Sequence, residues 1–301
     1  MHYLITGGTG FIGQNIITKL LQSNQQITVL GRDKNKILKL FEDKVRAVDS
    51  LSTISNNEII DNIINLAGEP IANKRWSEKQ KEILIDSRVK TTQNIIELIS
   101  NLKNKPQNLI SASAIGFYGK NGDEALSENS KSGDEFTSKL CNLWESEAEK
   151  ANKFGVRVCL ARFGIVLGKK SGALSKMLPT FKIGLGGKIA SGNQFMSFVH
   201  IDDIVAAINF LITNKNLFGA FNFTSPNPVT NKEFSHILAK TLSRPALFDV
   251  PEFVIKILFG DMGEALLVNG QKVLPQKLLE YGYKFQFTNL ELALKNILQT
   301  K

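Results

Sequence analysis

The chain has 301 residues, 43 % of them hydrophobic, and 37 basic against 28 acidic side chains leave a formal net charge of +9. That length buries a real core as one large domain or a domain plus a lobe, and no apolar run reaches the roughly 20 residues that span a bilayer. The lysines are scattered, without the basic blocks or interleaved aromatics of nucleic-acid binding, so the charge reads as solubility and attraction for anionic ligands, with neither nucleic acid nor membrane as partner. Two cysteines (Cys141, Cys159) and three histidines (His2, His200, His236) match no metal-ligand spacing. No metal is expected, and the cysteines read as buried thiols of a reducing, cytoplasmic compartment.

The first predicted strand, 2–6, runs into glycines at 7, 8, 10 and 13 and then into an apolar helical pattern over 11–23. Strand, tight turn and helix start in that order form a cradle for phosphate. Gly7 and Gly10 leave room for the turn, Gly13 lets the helix pack flush on the strand, and the first helical N–H groups, from Phe11 and Ile12 onward, face the anion. The spacing is G-x-x-G-x-x-G, the variant found in Rossmann domains of the short-chain dehydrogenase/reductase type.

A second strand, 26–30, ends at Gly31 and Arg32, where an NAD-preferring site carries a carboxylate. A guanidinium there binds a 2′-phosphate, so Arg32 points to NADP(H) as the preferred coenzyme, with Lys34 and Lys36 helping and NAD(H) as the second choice. Asp33 counts against this unless it caps the helix predicted over 34–42. The strand 45–48 leads to Asp49, which either accepts from an adenine amino group or makes a loop turn. The strand 62–66 closes on Leu66, Ala67 and Gly68, small enough to let backbone run under a ribose and diphosphate. Arg75 and Trp76 follow, as a substrate wall or as cover for the core edge.

A helix over 77–101 carries Arg88, read as a coenzyme contact or as a surface partner of Asp86 or Glu82. The strand 108–112 brings Ser113, and "FYG" brings Tyr118. A helix over 134–154 places Glu135 four residues before Lys139, and the strand 156–162 runs on to Val166. His200 reads as a local hydrogen bonder, and Asp202 or Asp203 as the cap of a helix over 202–213. A last strand, 220–223, completes an α/β fold: a doubly wound parallel sheet with ligands at the carboxyl ends of its strands. Residues 171–195 read as a loop-rich lid and 231–301, with a helix over 231–242, as a small C-terminal α/β lobe. The expected division is a dinucleotide-binding Rossmann domain of 1–170 and 196–230, and a substrate lobe of 171–195 and 231–301, in a monomer or homodimer.

GGTGFIG, NLAGEPIANKRW, SRVKTTQ, SASAIGFYG, LARFGIVLG, FKIGLGGKIASG, FVHIDDI and VNGQKVLP…KLLEYGYKF occur in that order. Together they closely resemble the epimerase-family proteins of the atypical extended short-chain dehydrogenase/reductases, from residue 1 to about 298. The resemblance implies an NAD(P)-binding epimerase-like domain and a C-terminal domain of unknown function. It also implies hydride transfer at a carbonyl or hydroxyl carbon of a small molecule, with a nucleotide sugar as the default, or coenzyme-binding regulation with little catalysis. The superfamily's chemistry uses a Ser, a Tyr and a Lys. Ser113 and Lys139 match, but Glu135 stands where the Tyr belongs; it is a replacement acid or half of an i,i+4 ion pair, or else Tyr118 swings in to take the role.

Overall fold

The structure, a computed structural model, describes residues 1–169 and 171–299; residues 170, 300 and 301, which fall within the expected domain bounds, lie outside the described residues. Its centre is a seven-stranded sheet of β1 (His2–Thr6), β2 (Gln26–Leu30), β3 (Arg46–Val48), β4 (Asn62–Asn65), β5 (Asn108–Ala114), β6 (Arg157–Phe163) and β7 (Gly219–Phe223). All pairs are parallel, and the order across the sheet is β7-β6-β5-β4-β1-β2-β3. The chain reverses direction of travel between β1 and β4, and this switch point is where a doubly wound sheet opens a crevice.

Alternation along the strands builds two cores. Tyr3 and Ile5 of β1 face one side with Ile16 and Ile17 of α1 (Phe11–Gln22) and Ile204, Ile208 and Leu211 of α6 (Ile201–Thr213). Leu4 and Ile63 face the other, against Ile95, Leu98 and Ile99 of α3 (Glu78–Asn101) and Ala148 of α4 (Phe136–Glu149). Strands covered on both faces need apolar residues at every position, hence the near-continuous apolar runs. α2 (Lys34–Phe41) follows β2.

The helix expected over 134–154 is shorter: α4 ends at Glu149 and a 3₁₀ turn, Lys150–Phe154, follows to Gly155 in the left-handed region. The expected lid of 171–195 holds a regular helix, α5 (Gly172–Lys182), with Pro179 inside it. Leu174, Met177, Leu178 and Phe181 lie at i, i+3, i+4 and i+7, and that apolar stripe packs into a third core with Phe198, Phe234 and Leu294, outweighing the proline. The C-terminal part adds α7 (Asn231–Thr241), α8 (Glu252–Phe259) and the helices Gln276–Glu280 and Leu290–Gln299. Two-residue strands tie it back: Lys272–Val273 pairs with Ala125–Leu126, and Val229–Thr230 with Phe195–Met196.

His200, not an aspartate, caps α6, its Nδ1 accepting from the Asp202 N–H at 3.1 Å. Asp203 is buried and accepts from the N–H groups of Gln286 (2.7 Å) and Phe287 (3.0 Å), so it anchors the C-terminal segment. Among the described residues no helix is long and apolar enough to cross a membrane, and no group of three or more His, Cys, Asp or Glu could hold a metal ion.

Candidate functional site

The turn after β1 is closed by a hydrogen bond from the Gly10 N–H to the Gly7 carbonyl (2.9 Å), with Gly7 at φ +67°. A Cβ on Gly7 would stand 2.5 Å from the Leu66 carbonyl oxygen, and one on Gly13 would stand 2.5 Å from the Gly7 oxygen. Backbone therefore meets backbone at both positions, and only glycine permits it. No side chain caps α1 at Gly10, so the first-turn N–H groups and the positive end of the helix are left for an anion.

The β4 turn is pinned to the same place. The Leu66 and Ala67 N–H groups both donate to Thr6 Oγ1 at 3.2 Å, and the Thr6 hydroxyl donates to Asn65 Oδ1 at 2.7 Å. Arg88 lies behind this turn. Its guanidinium donates to the Glu69 carbonyl (3.0 Å) and the Leu84 carbonyl (2.9 Å) and sits 5.2 Å over the Trp144 ring. It presses so closely on Gly68 that a Cβ there would stand 3.0 Å from Cζ. Val166 runs in the short strand Ile165–Leu167, beyond β6.

At the end of β2, Asp33 accepts from the Lys36 N–H at 2.9 Å, so it is the cap of α2. Lys34 is ion-paired with Asp49 at 3.1 Å. Arg32 is exposed and makes no hydrogen bond or ion pair among the described residues. The gathering of Gly7, Gly10, Gly13, Leu66, Ala67 and Gly68 at the switch point, with Arg32 and Asp49 at its β2–β3 end, thus follows from strand order.

Ser113, Glu135 and Lys139 have different surroundings. Ser113 is buried and its hydroxyl donates to Glu145 Oε1 at 2.5 Å. Glu145 in turn grips Arg162 with both oxygens, at 2.8 and 2.7 Å. Arg162 donates to Tyr118 Oη at 3.0 Å and stacks 3.4 Å over the Phe117 ring, and the Tyr118 hydroxyl donates to Asn222 Oδ1 at 2.7 Å. Burial pushes the Tyr118 phenol above its ordinary value, against the pull of Arg162, so Tyr118 is neutral and locked. An Arg inside an apolar strand is the one sequence signal that could have pointed to this buried network.

Glu135 caps nothing with its side chain. One carboxylate oxygen accepts from the Lys120 N–H (2.9 Å), and the other lies 3.3 Å from the Ser138 hydroxyl. It folds into space that only glycine leaves at residue 119, where a Cβ would stand 2.0 Å from Oε2. Partial burial works to raise its pKa, but the N–H of Lys120, its own N–H and Ser138 outweigh that and hold it below the usual carboxylate range. Glu135 is therefore ionised at neutral pH. Lys139 is exposed, one turn along α4, and forms no ion pair with Glu135.

Sequence reasoning leaves the neighbouring aromatics undecided. Trp76 donates its indole N–H to the Ile71 carbonyl (3.0 Å) and meets Phe136, the first residue of α4, edge-on at 5.0 Å between centroids.

A parallel doubly wound sheet whose switch point carries a bare glycine turn and an uncapped helix defines a dinucleotide-binding α/β protein. The chain belongs to the NAD dependent epimerase/dehydratase family, whose model matches residues 3–223, and a domain of unknown function, DUF1731, matches 250–297. It is 39 % identical to the chloroplastic epimerase family protein SDR39U1 homolog of Arabidopsis thaliana, over 98 % of this chain and 86 % of that one. It is 36 % identical to epimerase family protein YfhF of Bacillus subtilis, over 99 % of this chain and 98 % of that one. The human epimerase family protein SDR39U1 (isoform2), solved with NADPH, superposes with a TM-score of 0.90 at 30 % identity over the whole of both chains.

Proposed function

We propose that the chain is an NADP(H)-binding oxidoreductase of the epimerase family that moves hydride at a carbonyl or hydroxyl carbon of a small molecule, a nucleotide sugar among the candidates. The observation that carries the coenzyme reading is Arg32: an exposed guanidinium after β2 with no hydrogen bond or ion pair among the described residues, where Gly31 stands in place of a carboxylate. The NADPH in the human relative supports it. In this reading the diphosphate lies on Gly7 and Gly10 and the N–H groups of Phe11, Ile12 and Gly13. Leu66, Ala67 and Gly68 underlie a ribose, Asp49 meets the adenine, and Val166 passes the nicotinamide. Arg88 acts from behind Gly68 by holding the Glu69 carbonyl. NAD(H) fits the same cradle with a lower affinity. Residues 1–170 and 196–230 are the coenzyme domain, and 171–195 and 231–301 the substrate lobe.

When bound, the coenzyme supplies or takes a hydride at nicotinamide C4. Lys139 stands where a superfamily lysine holds the nicotinamide ribose. Ser113 and Glu135 act by position, Ser113 through Glu145 and Glu135 by pinning Lys120. Neither is free to give a proton, so the proton that completes a carbonyl reduction has a source other than these two side chains.

One observation favours a second reading, a coenzyme-binding regulator with little turnover: Glu135 is ionised in the place of the phenol, and Tyr118 is locked. Fluorescence titration with NADPH and NADH, followed by a carbonyl panel, separates the two. Tight NADPH binding with an Arg32→Ala variant that loses at least about tenfold in preference supports the coenzyme reading. Turnover abolished by Lys139→Met supports the oxidoreductase, and binding without oxidation of NADPH by any carbonyl supports the regulator. Equal binding of both coenzymes by the parent and by Arg32→Ala would sink the 2′-phosphate argument.

A further inference from the structure

The loop between β4 and α3 carries an arginine and a tryptophan, Arg75 and Trp76, to which the coenzyme reading assigns no part. Several contacts fix its shape. Lys176 of α5 reaches across to the Ala72 carbonyl (3.0 Å) and lies 3.4 Å from Asn73 Oδ1. The indole N–H of Trp76 is spent on Ile71 inside the loop, so the ring does not turn freely. Its edge-to-face contact with Phe136 makes an aromatic corner at the first turn of α4, and both rings are only half-buried. Phe136 and Lys139 are three residues apart on α4 and so share one of its faces.

Arg75 immediately precedes Trp76 in this loop. Its guanidinium lies against Gly260, beyond the end of α8, where a Cβ would come within 3.1 Å of Nη2. No carboxylate is within ion-pair distance of it among the described residues, and it is exposed. A five-donor fork, unpaired among the described residues, that adjoins Trp76 in sequence and reaches Gly260, next to an aromatic pair whose Phe136 ring also has Lys81 5.7 Å above it, is a recognition element for a planar anion attached to a flat apolar body.

We propose that Arg75, Trp76 and Phe136 select the substrate: a carbonyl compound that carries a carboxylate-like anion on a ring or similarly flat apolar body, with Arg75 taking the anion and the two rings taking the body. This rests on the reading of the cleft as a coenzyme-dependent hydride-transfer site. All three are specificity residues and none moves a proton.

The test is calorimetric titration of phenylglyoxylate, and of its neutral methyl ester, into the full chain saturated with NADP⁺. The expected result is binding of the acid at least about tenfold tighter than the ester. Arg75→Gln removes that preference, and Arg75→Lys keeps part of it. Phe136→Leu, which keeps an apolar side chain, weakens acid and ester together. Coenzyme affinity stays at the parent value in every variant. Three results overturn the proposal: acid and ester binding alike, neither binding although NADP⁺ does, or an Arg75→Gln variant that keeps the parent preference. A parent chain that binds neither coenzyme overturns instead the coenzyme reading beneath it.

Discussion

The Ser113 hydroxyl and the Glu145 carboxylate meet at 2.5 Å in the interior, at an oxygen that also accepts from Arg162, and the other oxygen of Glu145 accepts from Arg162 as well. Glu145 and Arg162 are nearly fully buried, at 8 % and 6 % exposure. A buried pair is costly to desolvate and is sustained only when its remaining hydrogen-bonding capacity is filled. Ser113, Tyr118 and the face of Phe117 do that filling, which joins the turn after β5 to β6 and α4.

Removing one partner of this pair strands the other. Glu145→Ala leaves the Arg162 charge buried and is expected to cost about 3–5 kcal/mol of stability. Ser113→Ala removes one hydrogen bond to a charged group and is expected to cost about 1.5–3 kcal/mol. Urea unfolding followed by circular dichroism measures both. A Ser113→Ala variant as stable as the parent would mean that the hydroxyl does not sustain the buried pair.

Gly13 sets the contact between α1 and the glycine turn. With backbone atoms of Gly7 and Gly8 at 2.5 and 2.7 Å from a new Cβ, nothing flexible can give way. Gly13→Ala therefore forces α1 outward, with an expected loss of about 1–3 kcal/mol and weaker NADPH binding. Gly122→Ala is the control for glycine replacement itself: its Cβ meets nothing, so only the strain of φ +58° remains and coenzyme affinity should be untouched. Thermal unfolding and NADPH titration on both variants make the comparison.

Glu135 gives a pH-dependent test with a definite sign. Its folded pKa lies below the unfolded value, because the N–H of Lys120 and its other partners favour the charged form. A carboxyl group depressed in this way stabilises the fold above its unfolded pKa, and that contribution is lost as pH falls through the folded pKa. The parent should exceed Glu135→Gln by roughly 0.2–1 kcal/mol at neutral pH, because solvent screens this partly exposed carboxylate, and the gap should close in the acid range below the usual carboxylate pKa. Denaturant titrations at a series of pH values read this directly. A gap that widens on acidification would show that Glu135 is not held ionised.

Local patterns make much of this molecule legible. The glycine spacing and the apolar runs before and after it are short-range signals, and they lead to β1, its turn and α1, together with the parallel sheet. α5 escapes them because its Gly172 and Pro179 look like loop residues, although Leu174, Met177, Leu178 and Phe181 carry the helical period. The network around Arg162 is out of reach for another reason. Glu145 and Tyr118 lie 17 and 44 residues away, and no periodicity links residues that only the packing of α4 on β5 and β6 brings together. The cap of α6 is misread from sequence because aspartate is the commoner cap, whereas Asp203 is drawn inward by two distant N–H groups and His200 takes the position.

That inward turn of Asp203 makes the last prediction. Asp203 is 1 % exposed and its carboxylate holds the N–H groups of Gln286 and Phe287, while its own carbonyl accepts from the Tyr283 hydroxyl at 2.8 Å. Burial and the neighbouring Asp203 push the Tyr283 phenol far above its ordinary value, so that hydroxyl is protonated and donates at neutral pH. Replacing the carboxylate leaves two backbone donors without partners at the base of the helix Leu290–Gln299, each worth about 1–3 kcal/mol where water is excluded. Asp203→Ala is therefore expected to lose about 2–6 kcal/mol. The loss should be local first: amide exchange should speed up through 283–299, while β1, β4 and β5 keep their protection. Uniform loss of protection across sheet and C-terminal segment would mean instead that the anchor is part of the global fold, with no separate opening of the C-terminal segment.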